Sequence, residues 1–283
     1  MGNKNSPFKM VWRQFKKNRL AMFGLGLFIA LMVVALTASW IAPYGFDDQD
    51  VSRRFLSPCA AHWFGTDNLG RDIFSRVLHG AKVSMSVGLI STAVSASVGV
   101  VLGSFAGYFG RKTDNIIMRI LDVFMAMPQF LMAIVIAAVL GPGLINCMIS
   151  VGVSGIPAMA RVARASVLTQ SNQEYIEAAR SINASHFRII LRHVLLNAMS
   201  PILVRITMGL AGAITAAASL SFIGLGIQPP NPEWGAMLAG GREYLTKYPW
   251  IVMFPGIAIM ISVFAMNIIG DGLRDALDPR LKD

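Results

Sequence analysis

The 283 residues are 54% hydrophobic and only 14% charged, with a mean hydropathy of +0.57. That composition excludes an ordinary soluble domain and indicates an integral membrane protein. A net charge of +10 would suggest nucleic acid in a soluble chain. Here the Lys and Arg flank apolar spans, the pattern that sets membrane topology, and no nucleic-acid partner is expected.

Residues 1–19 form a basic segment carrying Lys4, Lys9, Arg13, Lys16, Lys17 and Arg19. Residues 20–42 are a first transmembrane span. The apolar core of a cleavable signal peptide is shorter, about 7–15 residues. Residues 43–82 read as an external loop with Asp47, Asp48 and Asp50, then H-W-F-G-T-D-N-L-G-R-D-I-F-S-R over residues 62–76. Taken alone, that piece is a Gly-punctuated loop leading into an Asp-capped helix. Asp67 and Asp72, without His or Cys beside them, are weak metal ligands, and no metal site is expected. Cys59 and Cys147 form no C-x-x-C and no zinc spacing, which favours inert thiols over a disulfide between them.

A second span over about 83–107 is rich in Ser, Ala and Gly, which permits close helix packing in a bilayer. The turn Gly107-Tyr108-Phe109-Gly110-Arg111-Lys112 lacks G-x-x-x-x-G-K-[ST] and holds no nucleotide site. The third span, about 116–140, contains Pro128, tolerable where neighbouring helices satisfy the freed carbonyl. Arg119 and Asp122, three residues apart, are expected to form a salt bridge facing protein or water. A Gly141-Pro142-Gly143 turn leads to a fourth span over about 144–165, with Pro157 inside it and Arg161 and Arg164 at its end.

Residues 171–204 are the longest polar, well-capped interval between apolar spans. Ser171 and Glu174 match the S-x-x-E capping box, predicting a helix from about Asn172. Asn183 suits the left-handed position that ends a helix. Ser185 can cap a second helix, in which Phe187, Ile190, Leu191, Val194 and Leu195 recur at helical spacing and Arg188 and Arg192 share a face. A fifth span, about 201–223, ends in S-L-S-F-I-G-L-G-I-Q-P-P-N-P-E-W-G, where Gly and Pro forbid simple helix continuation. Taken alone, that segment is an interfacial loop with Trp234 as anchor. A sixth span over about 250–269 precedes a tail, residues 271–283.

With the N-terminus inside, 18 of the 25 Lys and Arg fall on the cytoplasmic side, which places the capped helix pair in the cytoplasm. No Ser/His/Asp or Cys/His constellation lies at one membrane depth. His62, His79, His186 and His193 fall in loops or near interfaces, where structural or solvated roles are favoured. No span carries several acidic residues, which argues against an ion-coupled pump. The energy must then enter from outside the chain, and the helix pair is the feature suited to receive it.

Glu177-Ala178-Ala179, then Asn183-Ala184-Ser185, then residues 192–197 (R-H-V-L-L-N) resemble the EAA loop of ABC importer permeases. Residues 62–76, 219–235 and 270–280 resemble the dipeptide, oligopeptide and nickel branch of that family, which implies an external position for 219–235, lining an outer gate or meeting a binding protein. The family's usual Gly is Asn183 here, and its usual Pro is Leu196, so the last helix is expected to run straighter into the next span. The resemblance implies an all-α integral membrane protein of about six transmembrane helices, the type I ABC importer permease fold with a cytoplasmic coupling helix. It implies a non-enzymatic permease subunit forming the path for di- or oligopeptides, or a nickel or other metal chelate. An external solute-binding protein would deliver the solute. Implied partners are a sister permease in a heterodimer and two ATP-binding subunits. ATP and Mg would be bound in those subunits and no cofactor by this chain. Implied location is the bacterial cytoplasmic (inner) membrane, in contact with its lipid, with both termini cytoplasmic. The positions matching the coupling motif are Glu174, Glu177, Ala178, Ala179, Arg180, Asn183, Ala184, Ser185 and Arg188. Glu177 would be a polar contact, and the two alanines would permit close approach. None is catalytic, and no residue is assigned to substrate. Import of another small solute, an ion-coupled secondary transporter with inverted repeats, and a membrane scaffold are the alternatives.

Overall fold

The structure, a computed structural model, describes residues 7–277; Lys4 and the closing Asp278, Pro279, Arg280 and Lys282 lie outside them. Every regular element among the described residues is helical. A short basic helix α1 (Pro7–Lys17) meets the first span, α2 (Arg19–Ile41), at Asn18, whose side chain accepts the Ala21 N–H at 3.1 Å. Along α2 the buried positions are the small Ala21, Gly24, Ala35 and Ala38, whereas Leu20, Phe23, Ile29, Leu36 and Trp40 point outward. Small residues let helices approach closely, and large apolar ones suit lipid; α2 is built that way.

Helix α3 (Ile73–Phe109) has 37 residues, about 55 Å at 1.5 Å per residue, and so outruns the roughly 30 Å hydrocarbon layer. It starts ten residues before the apolar run, because Asp72 caps it by accepting the Ser75 N–H at 2.7 Å. The external loop ahead of α3 is organised by two carboxylates. Asp72 also holds the buried His62 imidazole at 2.9 Å, and Asp67 accepts from the Arg71 guanidinium at 2.7 Å and from the Arg71 backbone N–H at 3.0 Å. Both acids are consumed in structural work, and His62 is a structural histidine. Cys59 is exposed and Cys147 buried, and they are unpaired.

The third apolar run is not one straight helix. It divides into α4 (Arg111–Met125) and α5 (Gln129–Leu140), bent by 83° at Pro128. The ring removes a donor and disfavours helical geometry just before it, and here the chain turns rather than kinks. Asp122 does not pair with Arg119. Its carboxylate accepts from Arg161 at 2.7 Å, and Asp114 pairs with Arg164, so two ion pairs tie α4 to α6 (Leu144–Ser171). The bend sets α4 alongside α6, and the cross-helix arginines reach the carboxylates that Arg119 would have taken.

Helices α3 and α6 form the broadest packing contact in the molecule. Its seam is a row of glycines one helical turn apart, Gly99, Gly103 and Gly107, against Met159, Ala160, Ala163, Arg164 and Val167. A Cβ at Gly103 would stand 2.3 Å from the Ala160 carbonyl oxygen. Together α2, α3, the bent α4–α5 pair, α6, α9 (Leu195–Phe222) and α11 (Trp250–Leu277) give five spans, or six with the bent pair counted as one.

The segment after α9 folds back into the protein. Trp234 is 1% exposed, and its indole N–H donates to the Val77 carbonyl at 3.0 Å, so it is a core residue and not an interfacial anchor. It opens α10 (Trp234–Gly241), capped by the buried Glu233, which accepts the Ala236 N–H at 2.8 Å and the Ser84 hydroxyl at 3.1 Å. Burial pushes the Glu233 carboxyl up from its ordinary range.

Candidate functional site

Between α6 and α9 the chain makes a hairpin outside the spans. Helix α7 is Glu174–Ser181 and opens at Gln173, not at Ser171. The capping box is not formed: Ser171 is the last residue of α6, and its hydroxyl is buried without a partner. With α6 still helical at Ser171, that residue does not adopt the extended geometry of a cap. The other end follows the expected chemistry. Asn183 has φ +59°, and the Asn183 N–H donates to Arg180 O at 2.9 Å and the Ala184 N–H to Ala179 O at 3.2 Å. This is the left-handed helix stop that Gly usually supplies.

Ser185 then precedes α8 (His186–Arg188) with extended backbone, and its carbonyl accepts the Ile189 N–H at 3.0 Å, though its hydroxyl caps nothing. The helix continues through a π-turn over Ile189–Val194 into α9 without a break. His186–Phe222 is therefore one continuous 37-residue helix, with the π-turn and Pro201 inside it.

The π-turn decides which side chains face inward. An extra residue per turn rotates the stripe, and Ile189, Ile190 and Val194 are all buried. They pack with Ile176 and Ala179 of α7 against Tyr108, Ala163 and Val167. Of the face expected from 3.6-residue spacing, Phe187 and Leu191 point outward instead. Ile182 is 80% exposed and Phe187 70%. Glu174, Glu177, Ala178, Arg180, Asn183, Ser185 and Arg188 are exposed around them, with Ala184 half-buried and Ala179 buried below.

Tyr108, near the end of α3, is the anchor that sequence reasoning missed. Its hydroxyl lies 2.8 Å from His186 Nδ1, and the Arg180 guanidinium sits over its ring at 5.3 Å. One buried aromatic thus touches both arms of the hairpin. The signal was present in the Gly-Tyr-Phe-Gly turn, but nothing local says what the ring meets. The hairpin is held at its base by the core and at its flank by Tyr108, while its tip presents two large apolar side chains ringed by charge. A rigid element with that surface can transmit displacement to α6 and α9, into which it runs directly.

The model of the binding-protein-dependent transport system inner membrane component matches residues 99–283, which include the whole hairpin. The chain belongs to this family of transport permeases. The N-terminal transmembrane domain of oligopeptide transport permease C matches residues 6–58, which take in α1 and α2. Among characterised permeases, the chain is 43% identical over 277 residues to the dipeptide transport system permease protein DppC of Alkalihalophilus pseudofirmus, covering 98% of this chain and 91% of that one. It is 47% identical over 278 residues to the glutathione transport system permease protein GsiD of Escherichia coli, covering 98% and 92%. Among solved structures, a chain of the inward-facing MetNI methionine ABC transporter superposes with a TM-score of 0.58 at 17% identity, covering 72% of this chain and 96% of that one. An amino acid ABC transporter gives 0.56 at 12% identity, covering 71% and 94%. The fold is that of ABC importer permeases, and the chain is a transmembrane permease subunit of that kind, a transport component and not a catalytic subunit.

Proposed function

We propose that this permease passes short peptides, delivered by an external binding protein, through a path shared with a sister permease. Two ATPase subunits drive it through residues 174–188, and ATP and Mg are bound only in those subunits. The observation that carries the reading is the hairpin itself: rooted in the core at Ile176, Ile189 and Tyr108, yet offering Ile182 and Phe187 to water at its tip. Monomeric soluble surfaces seldom expose such residues together without a partner. Relatives that carry dipeptide and glutathione supply the solute class. The hairpin lies on the cytoplasmic side by the distribution of Lys and Arg, and both termini lie there too.

When nucleotide closes the ATPase pair, the hairpin moves with its cleft, and α6 and α9 swing between inward-open and outward-open arrangements. Glu177 is the polar contact at that joint. Its side chain makes no hydrogen bond or ion pair among the described residues. The test is co-purification of the ATPase subunits with wild-type and Glu177→Lys permease, with hydrolysis and uptake measured on each. The variant is expected to weaken association or to hydrolyse ATP without uptake. Unchanged association and transport would remove the docking role.

A further inference from the structure

A cavity of about 610 Å³ lies between α3, α5, α6, α9 and α11, within the usual range of about 300–1,000 Å³ for small-molecule sites. It is separate from the hairpin, and its chemistry is one-sided. Arg205 is the one charged side chain in its lining. Arg205 falls within the fifth span, about 201–223, near its start, and an arginine inside a span belongs toward a partner or a water-filled space. Among the described residues Arg205 makes no ion pair and no hydrogen bond.

The neighbouring polar groups are also unspent. Thr92 is 6% exposed; its buried hydroxyl has no hydrogen-bond partner, and its methyl lies over the cavity floor at Gly209. The amides of Gln129 and Asn267 line it as well, without a hydrogen bond among the described residues. A guanidinium and two amides make a wall of donors, with no carboxylate in the lining among the described residues. Such a wall attracts anions and repels a bare metal cation.

The floor is kept open by glycines that packing does not require. A Cβ at Gly212 would meet nothing within 4 Å, and one at Gly209 only the Thr92 methyl at 3.8 Å. Both line the cavity, one turn apart on the face of α9 that carries Arg205. The contrast with Gly103, where a Cβ would strike a backbone oxygen at 2.3 Å, is direct. Glycine inside a helix is less stable than alanine, so these two preserve space rather than a helix contact.

We infer that this cavity is a substrate site for a solute of di- or tripeptide size, in which Arg205 holds the solute's carboxylate. The Gln129 and Asn267 amides donate to its remaining oxygens. The inference rests on the peptide-permease reading above and adds to it the group recognised and the residue that recognises it. A free divalent metal is disfavoured as cargo at this site by the same guanidinium.

The test uses the complete complex of both permeases, the ATPase subunits and the binding protein in liposomes. Radiolabelled dialanine and its C-terminal amide are the probes, each supplied at concentrations that saturate the binding protein. Arg205→Gln is expected to lower dialanine uptake about 10- to 100-fold, the worth of a hydrogen bond to a charged group. Uptake of the amide should change little, and binding-protein-stimulated ATP hydrolysis should persist. Arg205→Lys should keep most of the dialanine uptake, and Gly212→Leu, which fills the floor, should lose uptake of both probes while hydrolysis continues. Wild-type uptake and undiminished preference for the carboxylate in Arg205→Gln would overturn the assignment and leave the peptide reading standing. Failure of that variant to assemble with the sister permease would overturn it too, by making Arg205 a subunit contact. If the wild-type complex carries neither probe, the peptide reading itself fails.

Discussion

The glycine seam between α3 and α6 makes the sharpest stability prediction. In Gly103→Ala the new Cβ would sit 2.3 Å from Ala160 O, 2.7 Å from Ala163 Cβ and 2.8 Å from Arg164 N. Two of those atoms are backbone and the third is a Cβ, so no flexible side chain can swing away. Reaching ordinary contact at about 3.4 Å requires the helices to separate by about 1 Å. A gap of that size forfeits roughly a quarter to a half of each dispersion contact along the seam, and Gly99 and Gly107 share the loss. Overpacking of this kind costs about 1–3 kcal/mol, against which alanine's helix propensity returns up to about 1 kcal/mol. A net loss of up to about 2 kcal/mol is expected, read as a lower thermal unfolding temperature of the detergent-purified permease. Gly26→Ala is the control: a Cβ there meets nothing within 4 Å, so it should be neutral or slightly stabilising. Melting of Gly103→Ala at or above the Gly26→Ala value would show that the close helix contact is not what the seam provides.

Two further outcomes follow from single residues. Tyr108→Ala removes the contact to both His186 and Arg180. It should leave the ATPase subunits bound but reduce uptake per ATP hydrolysed severalfold, measured in liposomes; unchanged coupling would make the tyrosine mere packing. Glu233, whose folded carboxyl titrates above the ordinary 4.5 because burial disfavours its charge, gives a stability contribution fully present below pH 4.5 that is lost as pH rises through the folded value. Glu233→Gln should flatten that decline in unfolding temperature above pH 4.5, since an amide oxygen can still accept the Ala236 N–H; an unaltered pH profile would rule out Glu233 as its source.

Much of the fold was legible because it depends on local chemistry. Apolar runs of bilayer length and the helix stop at Asn183 each rest on residues that are neighbours in sequence. What escaped the sequence depended on partners elsewhere. Pro128 announces a break but not an 83° bend, because the angle is set by where α4 can pack. Asp122 had a plausible partner three residues away and took Arg161 from another helix. Ser171 fits a capping pattern, yet the helix before it had not ended. The π-turn at Ile189–Val194 rotated the buried stripe, so periodicity placed Phe187 and Leu191 inside when they are outside. Phe187, now outside, is one of the two apolar side chains at the tip on which the docking proposal depends. Nothing local to Arg205 says that it lines a cavity, because several helices assemble that cavity.

The most direct test of the central claim is solute uptake into liposomes holding the two permeases, with and without the ATPase subunits, under either ATP or an imposed ion gradient. Uptake should require both the ATPase subunits and ATP, and should vanish when the hairpin carries Glu177→Lys. Uptake driven by an ion gradient, or proceeding with no ATPase subunit present, would contradict the account.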